Sequence, residues 1–250
     1  MPRSPPVCAV QIYLADPARQ DEGDLALAWS VLDDEERAHA DRLVQAIDRQ
    51  TYVVAHGLLR GALARHAGVA AARVRFWRTP HGRPELVPPT GDAGPAVRFN
   101  LAHTRGLVGC ALTATADVGF DLEQVLRPAP LDVAPQHFSD QERTGLDALP
   151  ARERDDRFYT LWTLKEAYIK ARGLGLAIPL DWFSVAPIPR GEARLTTGDP
   201  GQGDTRWTLR WWRLPGHAMA LAVHAPFQEL GVTLLADIRL GALRDSDDGH

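Results

Sequence analysis

The chain has 250 residues, 45% of them hydrophobic and 24% charged, with a net charge of −4. That mixture supports a buried core, and its Arg, Asp and Glu are interspersed rather than blocked, so no basic footprint for a nucleic-acid backbone is present and no DNA or RNA partner is expected. Two cysteines far apart, Cys8 and Cys110, form neither a CxxC pair nor a ligand-like spacing with histidine, which argues against a disulfide framework or structural zinc and for a reducing compartment.

No apolar run reaches the length of a signal h-region or a membrane span, so a soluble, cytoplasmic protein is expected. In chain order, VCAVQIYLA alternates as a strand does, and in VLDDEERAHADRLV either Asp33 or Asp34 can cap a helix. A longer helix is expected over residues 48–67, stopped by Gly68. RVRFWRT reads as a strand, and TPHGRPELVPPTGDAGP as a loop too rich in Gly and Pro for a helix. AVRFNLAH, LVGCALTA and DVGFDLEQV are short, rich in β-formers and bounded by turn residues, and are expected to form one small sheet.

RPAPLDVAP, with three prolines, is the best connection between two halves. It divides the chain into residues 1–126, a connection at 127–135, residues 136–242 and a disordered tail at 243–250. In the second half, Ser139 with Glu142 three residues later has capping-box spacing. A helix over 153–172 ends at Gly173 and Gly175, and DWFSVAPI, TRWTLRWWRL and HAMALAVH supply strands, the last two joined by a Pro-Gly turn. Each half reads as a long helix followed by a few strands, an α+β plan.

Chemistry concentrates in three places. On a strand, Asp121 and Glu123 project from one face while Phe120, Leu122 and Gln124 take the other. Paired like charges are unfavourable unless a cation lies between them, and hard oxygen ligands suit Mg²⁺; a solvated sheet edge would carry the same triplet. On the helix, Trp162, Glu166 and Lys170 follow one another at one-turn intervals, with Lys165 about 100° off that row. A solvated Glu–Lys pair explains the spacing but not its setting, because Phe158, Trp162 and Ile169 put Glu166 at the margin of the buried stripe, where an acid needs a partner. Third, His103 ends a strand and Arg83 lies in the rigid HGRP turn; each is a phosphate contact or an ordinary loop residue. Arg37, Arg42, Arg49 and Arg60 line the first-half helices, where most arginines are solvated and one or two could reach a ligand. No GxxxxGK[ST], GxGxxG after a strand, GxSxG or HExxH is present, which leaves a three-carboxylate metal site with basic residues nearby, suited to a pyrophosphate substrate.

FNLAH, VGFDLE and LWTLKEAYIKARGLGL, in this order and at these separations, resemble the signature blocks of the 4'-phosphopantetheinyl transferases of the larger, surfactin-synthetase type. The resemblance implies two similar α/β subdomains related by a pseudo-twofold axis, with the active site in the cleft between them, and a monomer. It implies transfer of the 4'-phosphopantetheine arm from coenzyme A to a serine of an acyl or peptidyl carrier protein, releasing adenosine 3',5'-bisphosphate. Carried over by position, Asp121, Glu123 and Glu166 match the Mg²⁺ ligands, Lys170 the lysine near the pyrophosphate and Lys165 the lysine before it, so that Glu166, Lys170 and Lys165 are expected to be catalytic. His103 matches a phosphate contact, Gly82, Arg83 and Pro84 a turn beside the nucleotide, and Arg49 a basic residue meeting the 3'-phosphate. Ala102 stands where the family usually has serine, and Phe120 where it usually has isoleucine or valine. Val125, Leu126 and Phe138 are expected to line a carrier-docking surface. Two other readings stay open: a non-catalytic protein that binds coenzyme A or a carrier, and a Mg²⁺-dependent pyrophosphate hydrolase.

Overall fold

Two helices of 22 residues each, Ala46–Ala67 and Ala151–Arg172, organise two separate hydrophobic cores. The structure, a computed structural model, describes residues 7–87, 97–114, 116–197, 207–224 and 229–243. The chain divides into Ala9–Thr115 with Gly231–His250, here the first unit, and Met1–Cys8 with Ala116–Leu230, the second. The tail at 244–250 lies outside the described residues.

The first unit opens with β1 (Val7–Ala15), α1 (Glu22–Val31) and α2 (Asp34–Arg42), followed by α3 (Ala46–Ala67). Asp21 and Asp33 each start a helix through a reciprocal capping box, and Gly68 ends α3 in the left-handed conformation, φ 64°, that a side chain would resist. β2 (Phe76–Arg78) pairs with β3 (Pro84–Leu86), and β4 (Arg98–Thr104) with β5 (Leu107–Thr113). β5 also pairs antiparallel with β1, and the sheet is completed from the far end of the sequence by β11 (Glu229–Leu235), in the order β11-β1-β5-β4. The apolar side of α3, from Val53 to Ala64, buries itself against this sheet.

The second unit holds β6 (Asp117–Gln124), α4 (Ala134–His137), α5 (Asp140–Asp147), α6 (Ala151–Arg172) and the strands β7 (Phe183–Ile188), β8 (Glu192–Thr197), β9 (Trp207–Leu214) and β10 (His217–His224). Its sheet runs β6-β10-β9-β8-β7, and α6 packs on β6 and β10. Ser139 caps α5 with the expected box to Glu142, and Gly173 ends α6 at φ 65°.

Three expectations need correction. β6 does not share a sheet with β4 and β5; it pairs along its whole length with β10. The division between units therefore falls at 115/116, not at 127–135. The proline-rich stretch is fastened inside the second unit: Leu126 N donates to Tyr159 Oη, Ala129 N to Asp155 Oδ1, and Arg127 to Asp156 at 2.6 Å. Prolines mark turns, and a turn need not be a boundary. Finally, α1, β3, α4, β8 and β11 appear where no element was expected, β3 within the stretch read as a Gly- and Pro-rich loop.

Arg60 links α3 to α2 from inside the first unit. Its side chain has no exposure, and it donates to Glu36 at 2.7 Å, Asp33 at 2.5 Å and Val74 O at 2.8 Å. Burial alone would raise the Glu36 carboxyl, but hydrogen bonds and charge from His56 and Arg60 outweigh it and hold the group below its ordinary value of 4.5. A carboxyl lowered by folding contributes stability above its unfolded value, and that contribution is lost as pH falls through the lower folded value. Arg60→Ala leaves two acids without their buried cation and is expected to cost about 3–5 kcal/mol in denaturant unfolding at neutral pH, with a smaller deficit in acid.

Candidate active site

Gly119, on β6, is where α6 meets the sheet. A Cβ there would lie 2.0 Å from Ala167 O and 2.3 Å from Ala171 N, so the helix backbone rests directly on the strand. On the same face of the neighbouring strand, Ala218, Ala220 and Ala222 stand paired with Glu123, Asp121 and Gly119. This close approach brings the acids of β6 under the row of α6 that carries Trp162, Glu166 and Lys170. Lys170 Nζ lies 2.5 Å from Asp121 Oδ1, and Trp162 Nε1 donates to Glu123 Oε1 at 3.2 Å. The strand therefore runs opposite to the helix.

The electrostatics follow from crowding acids at a dry seam. Burial pushes the Asp121 carboxyl up to about 6, against the pull of Lys170 and with a further push from Glu166. Glu123 is pushed up to about 7 by burial first and by the charge of Asp121 next. Burial alone would depress the Lys170 ammonium, but Asp121, Glu166 and Glu123 outweigh it and hold it above its ordinary value. One cation does not satisfy three carboxylates: Asp121 Oδ2 is buried with no hydrogen-bond partner among the described residues. Among the described residues no three His, Cys, Asp or Glu side chains stand close enough to hold a metal as placed, and Asp121 is engaged by Lys170. The donor set of clustered carboxylate oxygens, one of them an orphan, fits a hard divalent cation such as Mg²⁺.

Lys165 is elsewhere. Its side chain is 1% exposed, and its ammonium is enclosed by Glu142 Oε2 at 2.7 Å, Leu180 O at 2.8 Å and Phe183 O at 2.7 Å, above the Phe183 ring. Glu142 in turn accepts from the backbone N–H of Ser139 and Val185. Three oxygens exhaust the three donors of an ammonium, so the expected catalytic role for Lys165 does not match where the helix points it. Phe138 is likewise no docking residue: at 1% exposure it is part of the second core, whereas Leu126 stands 57% exposed.

The remaining expected residues belong to the first unit. His103 is exposed on β4, while its neighbour Ala102 is buried on the opposite face. Gly82 turns at φ 83°, and Arg83 beside it is buried in an ion pair with Glu85 at 3.2 Å that Arg98 shares at 2.8 Å. Pro84 begins β3, and Arg49 is exposed on α3 with a 3.5 Å contact to Asp41 O. Three contacts were not read from the sequence: Gly119 as the close-approach point, Trp162 as a donor to Glu123, and Glu142, expected only as a capping residue, as the partner of Lys165. A glycine inside a strand, two residues before an acid, is the available signal for the first.

Family models agree with this layout. Residues 117–222 match the 4'-phosphopantetheinyl transferase superfamily, and residues 17–115 match the N-terminal region of 4'-phosphopantetheinyl transferase. The 4'-phosphopantetheinyl transferase HetI of Nostoc sp. is 32% identical over 182 residues, covering 72% of this chain and 76% of that one. The 4'-phosphopantetheinyl transferase Sfp of Bacillus subtilis is 30% identical over 220 residues, covering 87% and 93%. The solved holo-[acyl-carrier-protein] synthase of Thermotoga maritima aligns over 44% of this chain and 64% of its own at 21% identity, with a TM-score of 0.38. The chain belongs to the 4'-phosphopantetheinyl transferase family, and with it to the transferase enzymes.

Gly119→Ala tests the seam. With a methyl group forced against backbone atoms rather than a mobile side chain, the variant is expected to lose about 3 kcal/mol or more of stability, read as a lowered thermal midpoint.

Proposed function

We propose that the enzyme transfers the 4'-phosphopantetheine arm of coenzyme A to a serine hydroxyl of an acyl or peptidyl carrier protein in a Mg²⁺-dependent reaction. The observation that carries the reading is the convergence of Asp121, Glu123, Glu166 and Lys170 where α6 rests on β6. Asp121, Glu123 and Glu166 would hold the Mg²⁺, which supplies charge neutralisation and alignment of the pyrophosphate oxygens. Lys170 adds a fixed positive charge beside them and stabilises the negative charge that builds on the leaving adenosine 3',5'-bisphosphate. The serine oxygen attacks the phosphorus that carries the pantetheine arm, the bond to the bridging oxygen breaks, and the serine proton goes to Glu166. The nucleophile arrives with the carrier, so none is required of this chain.

His103, Gly82, Arg83, Pro84 and Arg49 are assigned to the nucleotide end of coenzyme A. Arg83 already neutralises Glu85, so its part is to hold the turn as well as to offer charge. The same reading has the enzyme working as a monomer in the cytoplasm; no helix among the described residues is long and apolar enough to cross a membrane.

Two experiments test the reading. Apo carrier proteins of several types are incubated with coenzyme A and Mg²⁺ and weighed by mass spectrometry. Gain of the phosphopantetheine mass is expected, with Glu166→Gln slower by about 10²-fold or more; adenosine bisphosphate released with no carrier present would instead make the enzyme a hydrolase. The second concerns pH. Carboxyls raised by folding, to about 6 for Asp121 and about 7 for Glu123, contribute stability in acid that is lost as pH rises through those values. A divalent cation requires the ionised forms, so the gain in thermal midpoint on adding Mg²⁺ is expected to be small near pH 5 and large near pH 8.

A further inference from the structure

Trp162 is wedged among rings. Phe158 stacks on it with centroids 5.8 Å apart and planes at 18°, His137 meets its edge at 5.3 Å, and Phe138 leans on it at 6.5 Å. These neighbours come from one turn earlier in α6, from the end of α4 and from the residue after it, so the indole is held from two directions. What that packing aims is a single N–H, at Glu123 Oε1. An indole N–H can only donate: it carries no lone pair to compete for a metal and no charge to neutralise an acid.

We propose that Trp162 is a positioning residue for the metal site, using its indole N–H to fix the Glu123 carboxylate in the orientation that offers its second oxygen to the cation. The inference rests on the metal reading above. Contrast with Lys170 sharpens it. A lysine on Asp121 holds that oxygen by charge, the same currency a metal uses, and has to give way where a metal takes over. A neutral donor on Glu123 has nothing to give up. The donor brings no charge of its own, one oxygen is pinned, and the rotation that would otherwise be frozen only on metal binding is frozen beforehand. The aromatic letter of the helix motif is then a support for a ligand contributed by a different element, 39 residues earlier in the chain.

The test uses the full-length protein and Mn²⁺ as the probe, with the free ion counted by electron paramagnetic resonance. Trp162→Phe removes the N–H and part of the ring. A second variant, with 3-benzothienylalanine at position 162, keeps the ring shape and replaces only the N–H by sulfur, so it remains decisive where the phenylalanine variant fails to fold. Both are expected to bind Mn²⁺ about 10-fold more weakly. At saturating metal the benzothienyl variant is expected to recover most of kcat, since the defect lies in holding the ion. A thermal midpoint lowered without any change in Mn²⁺ affinity would make Trp162 a packing residue and overturn the proposal. Should the unaltered protein itself hold no Mn²⁺, the metal reading falls and this inference with it; tight binding in the unaltered protein and in the benzothienyl variant alike removes this inference alone.

Discussion

Everything about the site depends on how closely a helix is allowed to approach a strand. Most helix–sheet contacts are spaced by the side chains between them. Here Gly119 and the alanines of β10 remove that layer, and the backbone of α6 at Ala167 and Ala171 rests on β6. With side chains of ordinary size, Asp121 and Glu123 would face the helix across a hydrophobic layer, and Glu166 and Lys170 would lie beyond reach of them. Burial is deepest at Asp121, and there and at Glu123 burial and repulsion from neighbouring acids raise the carboxyls above their ordinary values, a setting that favours a cation.

The two units solve a shared problem with different polar hardware. In the first, Arg60 sits under α2 and is satisfied by Asp33, Glu36 and a backbone carbonyl. In the second, Lys165 is satisfied by Glu142 and two carbonyls. Both are buried cations paired with acids and backbone carbonyls, and both tie a long helix to the shorter helix packed beside it. The cluster around Asp121 is the opposite case, a group of anions short of positive charge. Within a single chain, then, buried charge is satisfied in two places and left partly unsatisfied in a third.

Much of this was legible in the sequence. Capping boxes and left-handed glycines gave the ends of α5 and α6, since those signals act within four residues of one another. The two-residue period put Asp121 and Glu123 on one face, and the helical period put Trp162, Glu166 and Lys170 in a row. Partner choice between strands was not legible. β6 begins only four residues after β5 ends and has the same β-forming character, yet pairs with β10 about a hundred residues later. Nothing local distinguishes the two outcomes, because β-forming character and alternation describe a strand and not its partner. β8 and β11 escaped for a related reason: EARLTT and ELGVTLL mix charge, glycine and small residues, and they are strands because a neighbour's edge is there to be paired. The role of Lys165 escaped because helical angle reports a direction and not what waits there, which is Glu142 and the carbonyls of Leu180 and Phe183.

The two adjacent letters Lys165 and Glu166 therefore serve opposite masters. One turns inward to oxygens supplied by α5 and by the chain near Phe183, while the other turns to β6. A helix has one degree of rotational freedom about its axis, and the inward lysine removes it. The angular setting of Glu166 is thereby fixed by residues that come both before α6 and after it in the chain. The bearing of Glu166 in the folded unit thus depends on the chain past Leu180 lying against the helix, a segment that makes no direct contribution to the acidic cluster.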